Sequence, residues 1–407
     1  MKLTLPFFGN AAQAMRESRL AEAPMVQRSK MLEYDQALVW VVLLLLLGGL
    51  IMVYSASIGL PDSPKYANYK NHHFLLRQAG FIAFGLIAGL VAFRFKVEQW
   101  EKWTPWLFLG ALVLMALVLI PGIGKGVNGA RRWIGFGGFS LQPSEIMKLM
   151  MVFYAADFTV RKQQYMHSLS KGFFPVAAAV GVCGGLLMLQ PDLGAFGVIV
   201  CIAMGILFLG GFNIIWFGGM LAVLAMVFFS IILISPWRYQ RMVAFLNPWT
   251  DGNELGKAYQ LTHSLIAFGR GELFGVGLGG SIEKLHYLPE AHTDFLMAVI
   301  GEELGLAGVL LVVTLFYWIV RRAFDIGRQA IAAEKYFAGL VAKGIGIWIG
   351  AQVFINMAVN LGLLPTKGLT LPLMSYGGSG IAINCIGLAL LLRIDYENRV
   401  MMRGGRV

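Results

Sequence analysis

Charge is scarce in this chain: Asp, Glu, Lys and Arg make up 14% of its 407 residues, against 57% hydrophobic. A soluble chain of this length would fold as two or three domains and carry far more charge. The mean hydropathy of +0.69 points the same way, towards a protein that sits mostly in lipid. Acidic residues are the scarcer sign, 22 against 33 basic, for a net charge of +11. Such an excess can mean nucleic acid, but there is no basic soluble stretch to hold one, so no nucleic-acid partner is expected. Positive charge flanking apolar runs is instead what membrane orientation requires. Cysteine is rare as well. Cys183, Cys201 and Cys385 lie in apolar runs without metal-ligand spacing, which excludes a disulfide framework and a zinc site. There is no repeat of fixed period and no low-complexity tract. A cleavable signal peptide is not expected, because the first 35 residues are polar and mixed in charge, and the first apolar run is long enough to span.

What the sequence does have is apolar runs of bilayer length. They recur at about 37–57, 78–93, 104–120, 145–160, 173–189, 194–210, 214–235, 295–320, 338–362 and 379–392. The expectation is an all-α polytopic membrane protein of about ten transmembrane helices. Residues 1–35 would form a cytoplasmic N-terminal tail, 36–393 the membrane domain, and 394–407 a cytoplasmic C-terminal tail. A long loop at 236–293 would join spans seven and eight on the outer side. The break at Gln190-Pro191-Asp192-Leu193-Gly194 is read from proline and aspartate in mid-run, which free backbone groups that hydrocarbon cannot satisfy. With both ends inside, 19 Lys and Arg fall on the cytoplasmic side and 12 on the outer side, which supports N-in and C-in. The outer charges gather in two loops, about 121–143 and 236–293, where they suggest an anion to be bound. Small-xxx-small pairs at Gly85/Gly89 and Gly346/Gly350 suggest close helix packing.

Three polar clusters fall on that outer side. The first runs from Lys125 through Arg131, Arg132 and Trp133 to Gln142-Pro143-Ser144-Glu145 and Lys148. Adjacent arginines can fork onto phosphate oxygens, and glycines let backbone approach a ligand. Glu145 and Lys148 stand one turn apart, and an ion pair entering a membrane helix is a functional candidate. The bland alternative is interfacial anchoring by Arg and Trp. The second cluster closes the long loop at Leu288-Pro289-Glu290-Ala291-His292-Thr293-Asp294-Phe295. There Asp294 is read equally as a helix cap, which stabilises by about 1 kcal/mol, and as a base able to take a proton from a hydroxyl. Glu302 and Glu303, two turns deeper, would extend a polar track or pair with Lys148 or Lys343. The third cluster is Pro365-Thr366-Lys367-Gly368-Leu369, then Ser375-Tyr376-Gly377-Gly378-Ser379. Its lone Lys367 suits a phosphate contact or interfacial snorkelling.

These motifs resemble those of the SEDS proteins (shape, elongation, division, sporulation). Pro289 to Phe295 with Gly301-Glu302-Glu303-Leu304-Gly305, the Pro365 to Leu369 loop and Ser375 to Ser379 carry the likeness. Gln142 to Glu145, Gln190 to Gly194 and Asn247-Pro248-Trp249 match in family order. Ala291, where the elongation paralogue usually has a basic residue, and the long N-terminal tail resemble the cell-division branch of Gram-negative bacteria.

The resemblance implies the SEDS fold and a peptidoglycan glycosyltransferase of the inner membrane, at the division septum. It would polymerise lipid II into β-1,4 glycan with inversion and release of undecaprenyl pyrophosphate. Asp294 falls on the family's essential aspartate and would be the base. Arg131, Arg132 and Lys367 would neutralise pyrophosphate, and Gln142, Ser144, Glu145, Lys148, His292, Thr293, Thr366 and Ser375 would complete the substrate site. No organic cofactor and no resident metal site are expected; a divalent cation (Mg2+ or Mn2+) could accompany the pyrophosphate. Partners implied are a class B penicillin-binding transpeptidase (the FtsI type) and other divisome membrane proteins. The rival reading is a lipid II flippase, using a polar track such as Asp192, Glu302 and Lys343.

Overall fold

The computed structural model describes residues 34–405, apart from 65, 67, 71, 128–129, 137–138, 167, 251 and 254–255. The expected tail at 1–35 therefore lies outside the described residues except for its last two. Every apolar run found in the sequence falls on a helix. These are α1 (Gln36–Ser57), α2 (His73–Arg94), α3 (Val97–Leu117), α4 (Pro143–Arg161), α5 (Phe174–Leu189), α6 (Leu193–Leu209) and α7 (Ile214–Ile234), followed by α8 (Pro236–Leu246) and α9 (Tyr259–Gly271) within the long loop. The last three are α10 (Leu296–Ala332), α11 (Tyr336–Asn360) and α12 (Gly378–Met402).

Among the described residues, five helical segments are long and apolar enough to cross a membrane by length and composition: Gln36–Asp62, His73–Arg94, Leu296–Ala332, Tyr336–Asn360 and Gly378–Met402. Shorter apolar helices occupy Phe174–Leu189, Leu193–Leu209 and Ile214–Met226. The break at 190–192 is present. Asp192 caps α6 by accepting from the Ala195 amide at 3.2 Å, as expected of aspartate before a helix. α12 continues beyond 393 to Met402, so most of the expected C-terminal tail extends the last helix.

At the centre stands α4, flanked by α3, α6 and α11, and almost all of its side chains are buried. By contrast α7 carries Ile214, Ile215, Met226, Leu233 and Ile234 outward, an apolar surface suited to lipid. Both small-residue pairs lie at helix contacts. Any side chain at Gly85 or Gly89 would press on Cys385 of α12, and one at Gly346 or Gly350 would meet Ala323 or Val320 of α10.

The expected all-α architecture needs one correction. The loop between α3 and α4 forms a three-stranded antiparallel sheet of β1 (Gly124–Val127), β2 (Ala130–Phe136) and β3 (Phe139–Leu141), in the order β1-β2-β3. Lys125 pairs with Trp133 and Gly135 with Ser140, with a bulge between Lys125 and Gly126. Strands satisfy their own backbone groups, so this short segment can sit rigidly against the bundle.

The long loop docks on α10 through backbone. Gly305 adopts φ +66°, which interrupts the helix and frees carbonyls, and the loop fills the gap. Val276 and Gly277 donate to the Glu302 and Glu303 carbonyls at 3.0 and 3.1 Å, while Leu306 and Ala307 donate to Glu272 and Leu273 at 2.9 and 3.1 Å.

Candidate functional site

The three polar clusters meet in one cavity of about 500 Å³. Its walls come from β2 (Ala130, Arg132, Trp133), the start of α4 (Gln142, Glu145), the α5–α6 turn (Asp192), the Glu290–Asp294 segment, Gly368 to Thr370, and Tyr376 to Gly380.

Asp294 is held by its backbone. Asn356 and Asn360 of α11, one turn apart, both donate to its carbonyl, at 2.9 and 3.1 Å. The side chain is half-buried and lines the cavity, with Oδ2 beside Gly368. Among the described residues its carboxylate accepts no hydrogen bond, and this corrects the cap reading. The first turn of α10 is closed instead by the Phe295 carbonyl, which accepts from Ala298 and Val299 at 3.0 and 3.4 Å. Desolvation by the pocket walls pushes the carboxyl up to about 7; Glu290 adds to the rise, Arg132 opposes it and Asp192 adds again. A carboxylate tuned to neutrality and left without a partner can take a proton from a bound hydroxyl.

Beneath lies a buried network. Lys148 donates to Glu145 Oε1 and to Gln352 Oε1, both at 2.7 Å, and Gln352 also accepts from Trp348 at 3.0 Å and donates to the Thr370 carbonyl at 2.9 Å. The expected Glu145–Lys148 pair is thus present, with Lys148 fully buried under the cavity and Glu145 lining it. Glu145 Oε2 has no hydrogen-bond partner among the described residues. Ser144 does not line the cavity itself; its hydroxyl and the Gln142 amide donate to Asp192 Oδ2 at 3.1 and 3.2 Å.

Arg131 and Arg132 are not brought together. Side chains alternate along a strand, so β2 sends Arg132 to the cavity and leaves Arg131 exposed, reaching the Leu119 carbonyl at 3.4 Å. Arg132 is fixed by donating to the Gln190 and Pro191 carbonyls of the α5–α6 turn at 2.9 and 2.5 Å. It also lines a small adjoining recess with Asp192, Arg241 and Lys367.

Of the remaining expected residues, Thr293 faces the cavity and donates to Glu290 Oε2 at 2.8 Å. His292 is buried behind the wall, its ring 5.2 Å from Phe74 and 5.6 Å from Tyr376. Ser375 closes a turn by accepting from the Leu371 amide at 2.9 Å, and Thr366 is buried outside the main cavity's lining. Glu302 and Glu303 pair with neither Lys148 nor Lys343. Glu303 meets Lys284 at 2.6 Å, and Glu302 accepts from Ser281 at 2.5 Å and from the Ile282 amide at 2.9 Å. Among the described residues no hydrogen bond or ion pair links Asp192, Glu302 and Lys343, and the Lys343 stem lies against Gly327.

Sequence reasoning passed over Arg77 and Tyr376 as site residues, and both line the cavity. For Arg77 the signal was its count among the outer charges. Among the described residues no three His, Cys, Asp or Glu side chains converge as metal ligands. A divalent cation would have to take most of its ligands from substrate oxygens.

The family model FTSW_RODA_SPOVE, described as "Cell cycle protein", matches residues 36–400. A relative from Burkholderia thailandensis, named probable peptidoglycan glycosyltransferase FtsW, is 64% identical over 93% of this chain and 82% of its own length. A relative of the same name from Thiomonas intermedia is 55% identical over 99% of both chains. Among solved structures, a chain from work described as "Structural coordination of polymerization and crosslinking by a peptidoglycan synthase complex" superposes with a TM-score of 0.73 at 25% identity, covering 90% of this chain and 98% of that one. Thermus thermophilus rod shape determining protein RodA does so with a TM-score of 0.64 at 25% identity, covering 91% and 98%.

Proposed function

Given that the chain belongs to the FtsW/RodA/SpoVE family, we propose that it is a peptidoglycan glycosyltransferase whose general base is Asp294. The observation that carries this reading is a carboxylate unpartnered among the described residues, its carboxyl raised to about 7, in a cavity that also holds Arg132. The substrate is lipid II. The 4-hydroxyl of the acceptor sugar attacks the anomeric carbon of the donor and gives its proton to Asp294. The bond from that carbon to pyrophosphate breaks with its electron pair on the leaving group, and the configuration inverts. Arg132 and Lys367 stabilise the charge that develops on the pyrophosphate. Gln142, Ser144 and Asp192 brace the wall, and Glu145 with Lys148 forms the floor. No step is routed through a divalent cation.

The membrane arrangement follows from the same reading. Helices α1 to α7 and α10 to α12 cross the inner membrane with both chain ends in the cytoplasm and the cavity outside. A class B penicillin-binding transpeptidase, of the FtsI type, packs on the bundle and crosslinks the product at the division septum. The likeness to a chain of a peptidoglycan synthase complex supports a partner of this kind.

Asp294→Asn is the decisive variant. Glycan strands made from lipid II by the purified protein, with the transpeptidase present, should fall by about 10²-fold or more, the usual range for losing a general base. A folded Asp294→Asn protein that polymerises at the wild-type rate ends the proposal. Translocation of labelled lipid II without strand formation by the wild type would favour a flippase.

A further inference from the structure

Arg132 is not the cavity's only cation. Arg77, on the second turn of α2, lines the same cavity and also an adjoining outer recess with Lys70, His72 and His73. That recess and the small one around Arg132, Arg241 and Lys367 have no lining residue in common. The cavity thus has two separate cationic poles.

The Arg77 pole is built into the wall. Arg77 shares the cavity wall with Tyr376, whose hydroxyl feels its charge. Tyr376 is itself held by its amide, which donates to the His292 carbonyl at 3.0 Å, and by ring contacts to Phe74 at 5.4 Å and Phe81 at 5.8 Å. The cation therefore stands on an aromatic wall that also carries the peptide leading into Asp294.

Two pyrophosphates need places in this reaction. The donor's is bonded to the carbon under attack, so it lies beside the base. The acceptor's stands at the far end of its disaccharide from the attacking hydroxyl. The Arg132 recess is lined by Gly368, beside which Asp294 Oδ2 lies, whereas the Arg77 recess has no residue of that wall. We propose that the Arg77 pole is a second anion subsite, which holds the pyrophosphate of the acceptor lipid. This rests on the glycosyltransferase reading above for the acceptor's identity, while the existence of two anion subsites stands apart from it.

The two parts separate experimentally. Calorimetry with inorganic pyrophosphate on the full-length protein should count two sites in the wild type and one in Arg77→Gln. Tyr376→Phe, which removes the neighbouring hydroxyl and leaves the charge, should keep two. A single site in the wild type, or two sites in Arg77→Gln, overturns the second subsite, whether or not the preparation makes glycan. In the polymerisation assay, Arg77→Gln should raise the lipid II concentration for half-maximal rate about tenfold, as losing a charge-assisted contact does. The acid limb of its pH profile should stay with the wild type, and Arg77→Lys should recover part of the affinity. An unchanged half-maximal concentration in Arg77→Gln, or a fall in kcat alone, overturns the acceptor assignment.

Discussion

Asp294 and Glu303 lie nine residues apart around the start of one helix, yet their surroundings differ in kind. Glu303 is fully buried, and its Oε1 accepts from Lys284 Nζ and from Ser55 Oγ of α1, both at 2.6 Å. Lys284 also donates to the Gly279 carbonyl at 2.7 Å, so one ion pair ties the outer loop to two helices. Next to it, Glu302 takes Ser281, two loop amides and Arg270. Asp294 has none of this. Its backbone is anchored by two asparagines while its carboxylate stands open to the cavity. Where charge is matched, the carboxylate holds structure together; where it is left unmatched beside a cavity, it is available for chemistry.

The comparison breaks most sharply at Lys284. Lys284→Met leaves Glu303 buried without its counter-charge, and removing one partner of such a pair costs about 3–5 kcal/mol. The midpoint of thermal unfolding should fall further in Lys284→Met than in any variant of the cavity's open side. Replacing both partners, as Lys284→Met with Glu303→Leu, should recover much of the loss, because no orphaned charge remains. Asp294→Asn should do the opposite, cutting polymerisation by about 10²-fold or more without lowering the midpoint. The sign follows from linkage. The folded carboxyl is raised above its unfolded value, so the native state holds the proton more tightly, and stability falls as pH rises from the ordinary carboxylate range through about 7. Above pH 7 the asparagine variant should be at least as stable as the wild type. Equal losses of stability in Lys284→Met and Asp294→Asn would erase the distinction.

The same contrast decides what could be read from the chain. Local signals were legible: apolar runs, the Pro191-Asp192 break, the small-residue pairs and the Glu145–Lys148 spacing each depend on neighbours within a turn or a span. Asp294 was legible as a candidate because a carboxylate at the edge of an apolar run is costly without a reason. Its cap role was not excluded, since capping depends on backbone angles that spacing does not give. Partners far apart in sequence were not legible. Glu303 and Ser55 are 248 residues apart, so Lys148 and Lys343 were no worse guesses than Lys284. The sheet escaped because its strands are only 3 to 7 residues long, although Asn128-Gly129 between two short runs is a hairpin signal. Missing the strand also meant pairing Arg131 with Arg132, which alternation places on opposite faces.

Arg132 tests the open side of the comparison. Its charge favours the ionised form of Asp294, and the reaction places it against the leaving pyrophosphate. Arg132→Gln should therefore lower kcat by about 10²-fold, in the range for losing one stabiliser of developing charge. It should also move the acid limb of the rate profile to higher pH, because the carboxyl is harder to ionise without the cation. A loss confined to the half-maximal lipid II concentration, with the limb unmoved, would make Arg132 a binding group only.

Glu290 should give the smallest effect and the finest test. Its carboxylate accepts from Thr293 at 2.8 Å and, after burial, contributes most to the raised Asp294 carboxyl. Glu290→Gln keeps an oxygen for the Thr293 hydroxyl, so the turn into α10 should persist while the repulsion disappears. Asp294 then ionises more readily, and the acid limb of polymerisation should move to lower pH, opposite in sign to Arg132→Gln. The rate well above pH 7, where Asp294 is ionised in both proteins, should change little. If the limb follows Asp294 in both directions, the titrating group is the carboxylate itself. An unmoved limb in both variants would place the titration elsewhere, and Asp294 would lose its claim to the proton.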